Sequence, residues 1–89
     1  MAQTLTDKVL RDHLAVSLAC ALAAANEKAR GSGVDVTQSL ISITQQTMNA
    51  ESLWRINYGP KDYVNRRGGD LIVYVDAHST TVKRILRGQ

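Results

Sequence analysis

Metal ligation and acid–base chemistry in this 89-residue sequence would draw on His13, His78, Cys20 and eight carboxylates. Their spacing supports little of either. Neither histidine has a Cys, Asp or Glu at ligand spacing. The nearest approach, Asp76-Ala77-His78, reads as a strand-end carboxylate and a turn histidine, so no metal site is expected. Asp70 and Asp76 bracket an apolar run, and an extended chain rising ~3.3 Å per residue holds them roughly 20 Å apart, too far to act on one bond. Both read as turn residues. Arg67-Gly68-Gly69-Asp70 lacks the Lys-Ser/Thr ending of a phosphate loop, and no helix is predicted after it. Its glycines read as the means of turning the chain back into a sheet. Nothing resembles a nucleophile elbow. Cys20 lies in an Ala/Leu run and reads as a small buried hydrophobe, because a reactive thiol needs an electropositive, partly exposed setting. A lone cysteine also rules out an internal disulfide framework. No catalytic residue and no cofactor is expected.

The basic residues offer more. Through residue 50, Lys8, Arg11, Lys28 and Arg30 balance Asp7, Asp12, Glu27 and Asp35, so the whole net charge of +3 falls in the second half. There Arg55, Lys61, Arg66 and Arg67 surround a polar loop, and Lys83, Arg84 and Arg87 lie on the last predicted strand. With Tyr58 and Tyr63 nearby they could make a stacking and phosphate-binding surface for nucleic acid. The competing reading is that they guard an edge strand and keep the domain soluble, and the small excess of charge favours it. Trp54, Tyr58 and Tyr63 fall within ten residues in a chain with no Phe. They are candidates to line a small-ligand pocket between helix and sheet.

Positioning these residues requires one domain spanning residues 1–89 with an aliphatic core. Thr4-Leu-Thr-Asp7 has the form of a capping box and predicts a long helix ending near Ala29 or Arg30. Leu10, Leu14, Leu18, Ala21, Leu22 and Ala25 form its apolar stripe, and Gly31 is the natural residue to end it. Ala15, Val16, Ala19 and Ala23 give it a second face of small apolar residues, a potential self-association surface. Residues 36–48 read as a strand on their Ile and Thr content, or as a second helix capped by Asp35; strand is preferred. Residues 53–58 alternate, with Trp54, Ile56 and Tyr58 on one face and Gly59-Pro60 as a stop. Asp70 to Asp76 reads as a central strand. Residues 81–87 read as a last strand, Val82 and Leu86 sharing a face, whose imperfect alternation suggests an edge position or a bulge. Short turns between successive strands make them antiparallel neighbours. The fold class is therefore α+β, one long N-terminal helix packed on a three- to four-stranded antiparallel sheet.

Trp54-Arg-Ile-Asn-Tyr58, then Gly68-Gly69 with the strand to Asp76, then Val82-Lys-Arg-Ile-Leu86 and Gly88, resemble a small cystatin-like module. The pattern is similar to that of PepSY-type domains and NTF2-fold immunity proteins over about 35 residues, judged by strand pattern. It departs from them in the Ala77-His-Ser-Thr-Thr81 turn, where a Gly-containing hairpin is commoner. The resemblance implies binding or inhibition and supplies no catalytic residues.

A non-enzymatic protein-binding or inhibitory module ranks first. A homodimer formed through the edge strand or the Ala-rich helix is one form of it. Nucleic-acid binding and small-ligand binding follow. The apolar run from Leu14 to Ala25 is too short to span a membrane. Asp7 and Asp12 precede it, unlike the positive region of a signal segment, so a cytoplasmic protein is expected; export is the alternative should residues 1–25 be a signal.

Overall fold

Asp12 is where the helix begins. The computed structural model describes residues 11–60 and 70–87. Asp12 is extended (φ −70°, ψ 106°) and its carboxylate accepts the Ala15 amide at 3.0 Å, capping α1, His13–Gly31. The helix anticipated from Thr4 is thereby corrected: Arg11 and Asp12 are not helical, and Thr4 to Asp7 lies outside the described residues. At the other end Ser32 is the C-cap and Gly33 takes the left-handed conformation (φ 88°) that Gly31 had been expected to supply.

The apolar stripe also differs from expectation. Ala21, Ala25 and Ala29 are buried, Leu18 and Leu22 pack beside them, and Leu14 is 58% exposed. A four-residue step of alanines brings the helix backbone close to the sheet. Cys20 sits one residue, about 100° of helix, away from that line. It is exposed rather than buried.

After α1, Asp35 caps a 3-10 turn at Val36–Gln38, its carboxylate accepting from Thr37. The chain then enters β1, Ser39–Met48. Both signals read in residues 36–48 are therefore real, the cap starting a short turn and the Ile/Thr run forming the strand. β2 is Glu51–Pro60, β3 Leu71–Asp76 and β4 Val82–Arg87. Gly59 and Pro60 end β2 from within the ladder, Pro60 opposite Ser39. The four strands form one antiparallel meander in the order β1-β2-β3-β4, and α1 lies over β3 and β2. This is a two-layer α+β fold.

Trp54, Ile56 and Tyr58 of β2 and Leu71, Val73 and Val75 of β3 face the helix and form the core with the three alanines and Val36. A helix about 10 Å across covers two strands spaced about 4.8 Å apart. Ile41 of β1 and Ile85 of β4, registered on the same side, stay 38% and 41% exposed. A register shift opposite Tyr74 and Val75 bulges β4. It sets Val82 against Val75 on the helix side and Leu86 against Ile72 on the outer side, so the two do not share a face as expected.

Candidate functional site

Asn49 and Ala50 join β1 to β2 with φ of 52° and 66°, the two positive values of a two-residue type I′ turn. Such a turn closes on a mutually bonded pair, here Met48 and Glu51. Hydrogen-bonding direction alternates along a strand. Leu40, Ser42, Thr44, Gln46 and Met48 thus turn their amides and carbonyls toward β2. Ser39, Ile41, Ile43, Gln45 and Thr47 turn theirs outward. The opposite side of β2 agrees: the Ser52 carbonyl, across from Thr47, accepts from Ala77 at 3.0 Å on the β3 side. Among the described residues no strand pairs with the outward side of β1, where the Ser39 amide alone is engaged, donating to the Val36 carbonyl. No residue of this ten-residue edge is charged, and Leu40, Ile41 and Met48 are exposed along it.

The other edge differs in each respect. β4 carries Lys83, Arg84 and Arg87 and contains the bulge. Charge and irregularity are the usual means by which an edge strand resists pairing with another chain.

The basic residues grouped by sequence separate in space. Arg87 faces the helix side, opposite Leu71, and its Nη2 donates to the Ser32 carbonyl at 2.6 Å, tying β4 to the end of α1. Lys83 lies 4.0 Å from Glu51 in an exposed ion pair. Arg55 and Arg84 remain on the outer sheet face, directly across from Tyr74 on its two sides. Among the described residues neither has an acidic partner. Direct cross-strand neighbours have Cβ atoms about 5 Å apart, so the row sets one arginine on either side of Tyr74. Tyr74 was legible only as part of a central strand; its place between two arginines depends on register. Lys61, Tyr63, Arg66 and Arg67 lie outside the described residues.

Trp54 and Tyr58 sit in the core, 5% and 2% exposed. Each polar tip reaches the helix. Trp54 Nε1 donates to Ser17 Oγ at 3.0 Å, and that hydroxyl donates to the Ala77 carbonyl at 2.8 Å, joining helix, β2 and the turn after β3. Tyr58 Oη donates to Asn26 Oδ1 at 2.6 Å. Burial pushes the Tyr58 phenol up to about 12, against the opposing pull of the Arg30 charge. Trp54 and Tyr58, two of the three residues anticipated as pocket walls, cross-link the two layers.

The carboxylates that bracket β3, Asp70 before it and Asp76 at its end, serve a neighbouring amide and the backbone. Asp70 accepts from Asn57 Nδ2 at 2.9 Å. Asp76 accepts from the Ser79 and His78 amides at 2.9 and 2.8 Å. These bonds hold its carboxyl below the usual carboxylate range, with burial opposing and Lys83 assisting. Among the described residues no three His, Cys, Asp or Glu side chains gather in one place, and no helix is long and apolar enough to cross a membrane. Comparison with family models, curated proteins and solved structures returns no match for this chain.

Proposed function

We propose that this chain is a non-enzymatic protein-binding or inhibitory module whose working surface is the outward edge of β1, unpaired with any strand among the described residues. One observation carries the reading: an edge of ten uncharged residues, flanked by exposed Leu40, Ile41 and Met48, lacks the charges and the bulge that β4 carries. An extended segment added to such an edge gains main-chain hydrogen bonds for affinity and side-chain contacts on alternate residues for specificity. The helix-on-meander order also suits the cystatin-like resemblance and its binding role. The test is co-purification from nuclease-treated lysate with wild-type and Gln45→Pro chains. Proline at Gln45 removes an outward amide and leaves the β1–β2 ladder intact. Partners held by wild type and lost by Gln45→Pro support the reading; the same proteins on both chains refute it.

A second reading rests on the Arg55–Tyr74–Arg84 row, which offers a stacking face between two cations to a single-stranded nucleic acid. Two phosphate contacts give a slope of about −1.4 for log affinity against log salt. Oligonucleotide anisotropy across a salt series measures it, and a flat response removes this reading.

A further inference from the structure

We infer that the partner at the β1 edge is a second copy of this chain, paired antiparallel about a two-fold axis to make one eight-stranded sheet with both helices on the same face. The inference rests on the binding role proposed for that edge and names its occupant. A two-fold contact sets a patch against itself, so any charge on it meets its own kind. β1 meets that condition along its whole length, Ser-Leu-Ile-Ser-Ile-Thr-Gln-Gln-Thr-Met, with neither charge nor proline. β4, with three cations in six residues, does not.

The size of the contact is adequate. Ten residues make an edge about 33 Å long; with the Ser39 amide held by the Val36 carbonyl, about four outward amides and five outward carbonyls remain on each copy. Full pairing gives about eight interchain hydrogen bonds, within the range of a standard interface that removes about 800 Å² per partner. Apolar side chains flank the seam on both faces. Ile41 lies on the helix side beside the partly buried Ile43, and Leu40 and Met48 lie on the other. The axis must keep each face continuous, so directly opposed residues have the same parity and the axis passes through a residue. Overlap is greatest when that residue is Ile43 or Thr44. An axis at Ile43 sets the two Ile43 side chains against each other beneath the gap between the helices; an axis at Thr44 sets Leu40 against Met48 on the outer face.

The test is the solution mass of the full chain by light scattering over a concentration series, with amide hydrogen exchange on the same samples. Wild type is expected at twice the 9.7 kDa chain mass, with slow exchange at Ile41, Ile43 and Gln45. Ser42→Lys places like charges near the axis from an exposed position, and Gln45→Pro deletes an outward donor. Both are expected to halve the mass, with the circular dichroism spectrum retained and fast exchange at Ile41 and Ile43. Lys83→Ser on the opposite edge is expected to leave the mass unchanged. A monomeric wild type overturns the inference. So does a dimer whose outward β1 amides exchange fast, which would place the contact elsewhere, as on the Ala-rich face of α1. The broader binding role fails separately, only if Gln45→Pro co-purifies with the same proteins as wild type.

Discussion

Ala50→Gly should stabilise this protein. Ala50 sits at φ 66° in the second position of the β1–β2 turn, where its Cβ crowds the following carbonyl. An L-residue pays about 1–2 kcal/mol for that conformation. Glycine removes the clash but has more backbone freedom to lose on folding, about 0.5–1 kcal/mol. The difference leaves a net gain of about 0.5–1 kcal/mol. In a domain of this size that raises the melting temperature by roughly 2–8 °C. Thermal unfolding followed by circular dichroism measures it. Asn49, at φ 52°, provides the control, since Asn tolerates the left-handed region and Asn49→Gly should shift the melt far less. An unchanged or lowered melting temperature for Ala50→Gly would refute the type I′ assignment.

Ser17→Ala leaves the buried Trp54 indole N–H without its acceptor and should cost about 1–3 kcal/mol in denaturant unfolding; Ser17→Thr, which keeps a hydroxyl, should recover part of it. Tyr58 favours its neutral form in the folded state, where its value is about 12 against 10.0 for an ordinary phenol. Its contribution is therefore complete below pH 10 and lost as pH rises from 10 toward 12, a decline that Tyr58→Phe should flatten in melts across that range. Asp76 has the opposite sign: its depressed value supplies stability above the ordinary carboxylate range that is lost as pH falls through the folded value, and Asp76→Ala should weaken the acid dependence and speed amide exchange at His78 and Ser79. Thr80, β-branched at φ 62°, should gain from Thr80→Gly for the same reason as Ala50, read again by melting temperature.

Local chemistry made much of the fold legible. The Ala-rich helix, the Trp54-Ile56-Tyr58 face, the central position of the Asp70-to-Asp76 run and the bulged, charged last strand are each written in propensity and alternation, and each has its counterpart in the structure. The departures come where tertiary packing decides. Leu14 belongs to the helical stripe by period, yet the sheet lies beneath Ala21, Ala25 and Ala29, so Leu14 is exposed and Cys20 turns outward with it. The shared face expected of Val82 and Leu86 is undone by the bulge, one residue of register being enough to reverse a side chain. The candidate sites were hardest to read for the same reason. Arg55 and Arg84 are 29 positions apart in sequence and meet only through Tyr74, whereas Arg84 and Arg87 are near neighbours whose side chains serve opposite faces.

The composition of β1 bears on whether its uncharged edge follows from folding requirements or from use. Ser42 and Thr44 are exposed, they face away from the helix, and neither side chain belongs to the core. A lysine at Ser42 would displace nothing buried, and its stem could lie along the sheet with its charge in water. Helix packing does not exclude charge from this edge, and β4 shows that the same sheet accommodates it, carrying Lys83, Arg84 and Arg87 in six residues. An unprotected edge exposes a cell to aggregation, so a strand that could carry a guard at little cost and carries none is best explained by an occupant. With the edge filled, protection is unnecessary and charge would be harmful. This ties the Ser42→Lys measurement to more than an interface: a folded, soluble monomer from that substitution shows that the fold never needed the strand to be neutral, leaving self-pairing as the reason for its neutrality.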